Sequence, residues 1–164
     1  MFDHTASSVG RAGLLACAVA SLAYTERLPA KAYTTADGLA HNSVHRIFSD
    51  SHGLLWFCTG EGLSRFDGYS FRNYGTADGL PDPHVYDILE TQSGEYWVAT
   101  GGGLCRSRVR NSGLSEAAAF KVYALPAVAG PEVHSLAEGH DGTIWVGTAN
   151  GLIRSVRNGS GEVF

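Results

Sequence analysis

The chain has 164 residues, a formal net charge of −4 and a pI near 5.9. That length leaves room for one ordinary domain, while the acidic balance, with no basic cluster interleaved with aromatics, excludes nucleic-acid binding. With 21 Gly and little 3.6-residue periodicity outside residues 12–24, a helical solenoid is excluded too.

Residues 1–32 read as a secretory leader. Arg11 precedes an apolar run from Ala12 to Ala23, and small-x-small sites follow at Ala18–Ala20, Ser21–Ala23 and Ala30–Ala32. The run is too short for a membrane span. Next comes YTTADGL (33–39), which matches YGTADGL (74–80) at six of seven positions. The second copy ends an outer strand and leads into the next unit. Residues 33–36 are therefore expected to be an outer strand with no inner strands before it, lent to close a ring.

The rest of the chain is one sentence written three times: GLLWFCTGEGLSR (53–65), GEYWVATGGGLCR (94–106) and GTIWVGTANGLIR (142–154). The shared residues are Gly53, Trp56, Thr59, Gly62, Leu63 and Arg65; Gly94, Trp97, Thr100, Gly103, Leu104 and Arg106; and Gly142, Trp145, Thr148, Gly151, Leu152 and Arg154. Val44, Val85 and Val133 stand twelve residues before their tryptophan, and Ile47, Ile88 and Leu136 nine before. The tryptophans are 41 and 48 residues apart, the extra length falling between Arg106 and Phe120. Insertions of that kind map to loops.

Each unit reads as four antiparallel strands. The first covers Val44–Phe48, Val85–Leu89 or Val133–Ala137. The second carries the tryptophan and is apolar on both faces, as between stacked sheets. The third runs over Leu63–Phe66 to the hairpin signal Asp67-Gly68, and the fourth carries Phe71 and Tyr74, or Phe120 and Tyr123. Four strands in forty-odd residues is the arithmetic of a β-propeller blade. The fold expected is all-β: a closing strand (33–36), blade one (37–77), blade two (78–125) and blade three (126–164). Phe164 falls nineteen residues after Trp145, where a fourth strand would begin, so blade three reads as truncated and the ring as incomplete. If about 400 Å² of apolar surface is uncovered at such an end, roughly 10 kcal/mol of burial is forgone.

The repeated residues are packing residues. The tryptophans fill blades, the Gly60–Gly62 and Gly101–Gly103 segments are turns with no helix after them to bind phosphate, and the arginines are expected to reach a neighbouring blade or loop carbonyls. Cys58 and Cys105 read as buried small hydrophobes. Positions that differ between units are better candidates for a site. His45, Tyr86 and His134 follow the first valine of each blade, on strands that would line the central channel, beside the loops His41–Ser43, Pro81–His84 and Glu132. They are the candidate ligand-binding residues; two histidines could hold a metal, but no Cys/His spacing supports one, and no metal or cofactor is assigned. Asp50, Asp67 and Asp141 belong to Gly-containing turns, and no nucleophile stands on a Gly-x-Ser-x-Gly elbow, so no catalytic residue is assigned.

The stretch DGLAHNSVHRIFSDSHGLLWFCTGEGLSRFDGYSF (37–71) resembles the two-component regulator propeller repeat nearly in full. Blade two departs from that pattern after Arg106, and blade three lacks the leading Asp-Gly-Leu. The resemblance implies a periplasmic sensor region of a bacterial hybrid two-component protein. Its implied partners are a small-molecule or oligosaccharide ligand, the remaining propeller blades, and a membrane-linked output region that would hold the kinase. This chain would then signal without catalysis. A propeller enzyme, such as a carbohydrate lyase or hydrolase, and a stand-alone scaffold are the alternatives.

Overall fold

Two kinds of glycine-governed turn bracket every tryptophan strand. Gly53, Gly94 and Gly142 adopt φ of +80°, +75° and +78° and reverse the chain before it; Gly62, Gly103 and Gly151 adopt +131°, +141° and +141° after it. The threonine three residues past each tryptophan ties the second turn. Its hydroxyl donates to the carbonyl of that glycine, at 2.7 Å (Thr59), 2.8 Å (Thr100) and 3.0 Å (Thr148). It also accepts a turn N–H, from Glu61, Gly102 and Asn150 respectively. At Gly62 the conformation and the space both matter, since a Cβ there would lie 2.6 Å from the Tyr74 carbonyl oxygen. Gly62→Ala is therefore expected to cost about 2 kcal/mol or more, read as a lowered urea midpoint, whereas Gly53→Ala, with nothing within 4 Å of the new Cβ, should cost about half that.

The computed structural model describes residues 30–108, 120–158 and 161–164. Blade one consists of β1 (Val44–Ser49), β2 (Leu55–Thr59), β3 (Gly62–Phe66) and β4 (Phe71–Tyr74); blade two of β5 (Val85–Glu90), β6 (Glu95–Thr100), β7 (Gly103–Arg108) and β8 (Lys121–Tyr123). Blade three has β9 (Val133–Glu138), β10 (Ile144–Thr148) and β11 (Gly151–Arg154); a separate two-stranded hairpin pairs β12 (Val156–Asn158) with β13 (Gly161–Val163). Strands within each blade are antiparallel and paired in sequence order. β1 lies against β5, and β5 against β9, so the first strands of consecutive blades are neighbours. These are consecutive blades of a β-propeller, and among the described residues they do not close a ring. Residues 32–164 form one unit and residues 1–31 another. The expected leader falls almost wholly outside the described residues, as does the inserted loop at 109–119.

Burial follows from blade order. In β2 the buried apolar residues are Trp56 and Cys58, in β10 they are Ile144 and Val146, and in β6 every residue from Tyr96 to Thr100 is buried. The alternation therefore has opposite parity in the first and last blades, because each has one neighbour, on opposite sides. The reading of the tryptophan strand as buried on both faces holds only for the middle blade. Trp56 and Trp97 are 1% and 0% exposed, but Trp145 is 38% exposed on the open face of blade three. One core lies between blades one and two, around Trp56, Tyr74, Ile88 and Tyr96; another lies between two and three, around Trp97, Leu104, Ile144 and Val146. Cys58 and Cys105 are free, buried, and have their thiols pushed well above the ordinary range by burial.

One expectation needs correction. The segment 33–36 is not a strand along its length: Thr35–Asp37 form a 3₁₀ turn capped by Thr34, and Thr76–Asp78 form the matching turn before blade two. The turn wins because Asp37 and Thr34 satisfy each other's backbone N–H groups, a capping box that a strand would forfeit. Only Tyr33 keeps an outer-strand relationship. It meets Phe71 edge-on at 5.7 Å, as Tyr74 meets Phe120 at 6.0 Å and Tyr123 meets Phe164 at 6.2 Å. The repeated arginines share one place in the sheet. Each stands directly opposite its own tryptophan in the adjacent strand. Arg106 lies over Trp97 at 5.3 Å and over Tyr123 at 5.1 Å, and pairs with Glu95 at 3.1 Å, so it stacks on aromatic rings of its own sheet.

Candidate functional site

The first strands carry an irregularity at one position. In blade one the pairing jumps from Val44↔Thr59 to Arg46↔Cys58; in blade two from Val85↔Thr100 to Asp87↔Ala99; in blade three from Val133↔Thr148 to Ser135↔Gly147. The extra residue in each β-bulge is His45, Tyr86 or His134. A bulge re-aims a side chain out of the regular pleat, and three aligned bulges aim three side chains together. The His45 and Tyr86 rings stack at 5.5 Å with 24° between their planes, and Tyr86 and His134 approach to 5.0 Å at 53°. All three sequence-derived candidates thus form one aromatic strip across three blades.

Polar contacts fix the strip. His45 Nδ1 lies 2.8 Å from the Val85 carbonyl, which sets that nitrogen as the protonated one. The Tyr86 hydroxyl donates to Glu132 Oε1 at 2.9 Å, and Glu132 Oε2 lies 3.9 Å from His134 Nε2. The bond to Glu132, and secondarily burial, pushes the Tyr86 phenol above its ordinary range, so it remains a neutral donor. His45 and His134 are exposed and Tyr86 is half-buried. Tyr86 stands between the two imidazoles, an arrangement of stacked rings and not of two ligands converging on one ion.

The residues after the first two bulges tie the blades together beside the strip. Buried Asp87 takes Arg46 Nε of blade one at 2.6 Å and the Leu136 N–H of blade three at 2.8 Å, binding all three blades through one carboxylate. Burial raises its pKa despite those bonds. Sequence reasoning passed over Asp87, although it is acidic where the other blades have Arg46 and Ser135. At the same end of the blades, each β2–β3-type turn folds back on the loop before the first strand. Gly60, Gly101 and Ala149 donate N–H groups to the carbonyls of Ser43, His84 and Glu132. A cleft of about 370 Å³ opens beside this rim, lined by the Gly102–Gly103 turn and by Tyr123, Leu125, Pro126 and Pro131 among others.

Residues 38–61, 79–102 and 128–150 match the family model for the two component regulator propeller. Each match begins in the turn leading into a blade and ends in the turn between its second and third strands, the part that holds the bulge, the tryptophan and the threonine lock. The chain carries three two-component regulator propeller repeats. A 42-residue stretch is 45% identical to Histidine kinase P4 of Formosa agariphila, covering 26% of this chain and 3% of that protein. The extracellular domain of a putative hybrid two component system from B. thetaiotaomicron superposes with a TM-score of 0.62 at 25% identity, covering 74% of this chain and 17% of that one. Virginiamycin B lyase from Staphylococcus aureus is similar in fold, with a TM-score of 0.53 at 20% identity over 73% of this chain and 39% of the lyase. The repeats here thus span a small part of these relatives. No helix among the described residues is long and apolar enough to cross a membrane.

Proposed function

We infer that this chain is part of the ligand-sensing propeller of a bacterial hybrid two-component sensor, acting in the periplasm. In this reading its ligand is a small polar molecule, with an oligosaccharide favoured by the family. The observation that carries it is the convergence of His45, Tyr86 and His134 on three aligned bulges. These are residues that the repeat leaves free to vary, gathered where consecutive first strands meet. Ring faces suit the C–H face of a sugar, while Glu132 and the imidazole nitrogens suit hydroxyl groups. The chain binds without catalysis, and the signal passes through further blades to a membrane-linked output region.

Calorimetric titration of the purified chain against a panel of neutral and acidic oligosaccharides tests this. One member should bind, and Tyr86→Ala should weaken it at least about tenfold. Tyr69→Ala, at an exposed position in the turn between β3 and β4, should leave Kd unchanged. The saccharide should be recovered intact by chromatography; its consumption would favour a carbohydrate lyase or hydrolase. Equal affinity in Tyr86→Ala and wild type would remove the strip from the site.

A further inference from the structure

At the far end of the innermost strands, the two blade interfaces share a polar latch. The Ser51 N–H donates to Glu90 Oε2 at 2.7 Å and its hydroxyl to Oε1 at 2.6 Å. One blade on, the Gln92 N–H donates to Glu138 Oε2 at 2.9 Å. In repeat register these are one contact. The donor stands five residues before its own tryptophan, and the carboxylate seven residues before the tryptophan of the next blade. The same register puts His140 N–H at the rim of blade three, where it has no partner among the described residues. At the free side of blade one it puts Ser49, a hydroxyl in place of the carboxylate. The apolar faces are directional as well: blade three leaves Trp145 and Leu152 open, and blade one leaves Ile47 and Leu55 open.

We propose that the open face of blade three is a docking surface for one kind of partner: a further sheet of this repeat that carries a carboxylate seven residues before its tryptophan. Continuity with the two interfaces inside the chain supports this, since both use the same donor position, the same acceptor position and the same pairing of apolar faces. A second copy of this chain is a poor occupant, because its blade one would bring Ser49 to the His140 N–H. The latch therefore selects the incoming sheet and disfavours head-to-tail closure between copies.

The test converts blade one into the partner. Sedimentation equilibrium is run on the full chain as wild type, Ser49→Glu, Ser49→Gln, and Ser49→Glu combined with Ile47→Asp. Ser49 is exposed, so the single variants leave the core untouched, and far-UV circular dichroism checks that all four fold. Added negative charge on a chain already at −4 would weaken unspecific association. The latch instead makes Ser49→Glu associate about tenfold more tightly, by one charge-assisted hydrogen bond. Ser49→Gln should fall short of that gain, and Ile47→Asp should abolish it. Association that is unchanged or weaker in Ser49→Glu, or a wild type already as tight, overturns the carboxylate requirement.

Discussion

Trp97→Ala is expected to destabilise the chain by about 3–5 kcal/mol, while the equivalent Trp145→Ala should cost about 1 kcal/mol or less. The two residues hold the same place in the repeat and differ only in what covers them. Trp97 is fully buried between blades two and three, with Tyr123 and Phe164 against its ring at 4.8 and 5.5 Å and the Arg106 guanidinium over it. Its removal leaves a large cavity in a core that relaxes only in part, and strands the arginine stacking. Trp145 already meets solvent on an open face, so truncation there removes little buried area. Against a typical domain stability of about 5–15 kcal/mol, the first loss is a large fraction of the whole. Urea midpoints of both variants and wild type would decide it. Equal losses at the two positions would mean that blade three is covered in solution, by another copy or by sheet residues beyond those described.

The sequence told most about what repeats and least about what each copy does with it. Glycine and threonine recurring at fixed distances from tryptophan announced the hairpins, and the structure supplies the reason: left-handed glycines, with a threonine hydroxyl bonded to the second of them. The bulges were legible in principle. Val85 and Ile88 are three apart, which in a regular strand puts them on opposite faces, yet both are buried on the same side, and only an inserted residue reconciles the two. That odd spacing recurs in all three blades and points to His45, Tyr86 and His134. Parity of burial in β2 and β10 was not legible, because it depends on which neighbour a blade has and not on its own residues. Nor was the role of Glu90 and Glu138, which a local reading assigns to solvent and which only the stacking of blades turns into latches.

Asp50→Asn is expected to cost about 3 kcal/mol at neutral pH, and to flatten the loss of stability on acidification. The sequence marked Asp50 only as a turn residue, which accounts for half of its bonds: Oδ1 accepts the His52 and Leu54 N–H groups at 2.9 and 2.8 Å. Oδ2 faces inward, where Trp56 Nε1 donates at 2.8 Å and the Tyr96 hydroxyl of the next blade at 3.0 Å. One buried carboxylate thus holds a turn, a blade-filling tryptophan and a blade interface. An asparagine turns an N–H₂ toward two donors and leaves them buried without an acceptor. Burial by itself would raise this carboxyl, but the bonds from Trp56, Leu54, Tyr96 and His52 outweigh it and hold the pKa below the ordinary value. A folded value below the unfolded one gives stability that is complete above the unfolded pKa, near 3.9, and is lost as pH falls through the folded pKa. Asp87 has the opposite sense: burial raises its pKa, so its ionisation costs stability as pH climbs from the unfolded value through the folded one. The wild-type acid limb is the sum of both. The difference between wild type and Asp50→Asn in urea midpoint should therefore be widest above pH 5 and narrow steadily toward pH 3. A difference that stays constant over that range would mean that the asparagine acts through packing alone and that the carboxylate charge does not hold the two blades together.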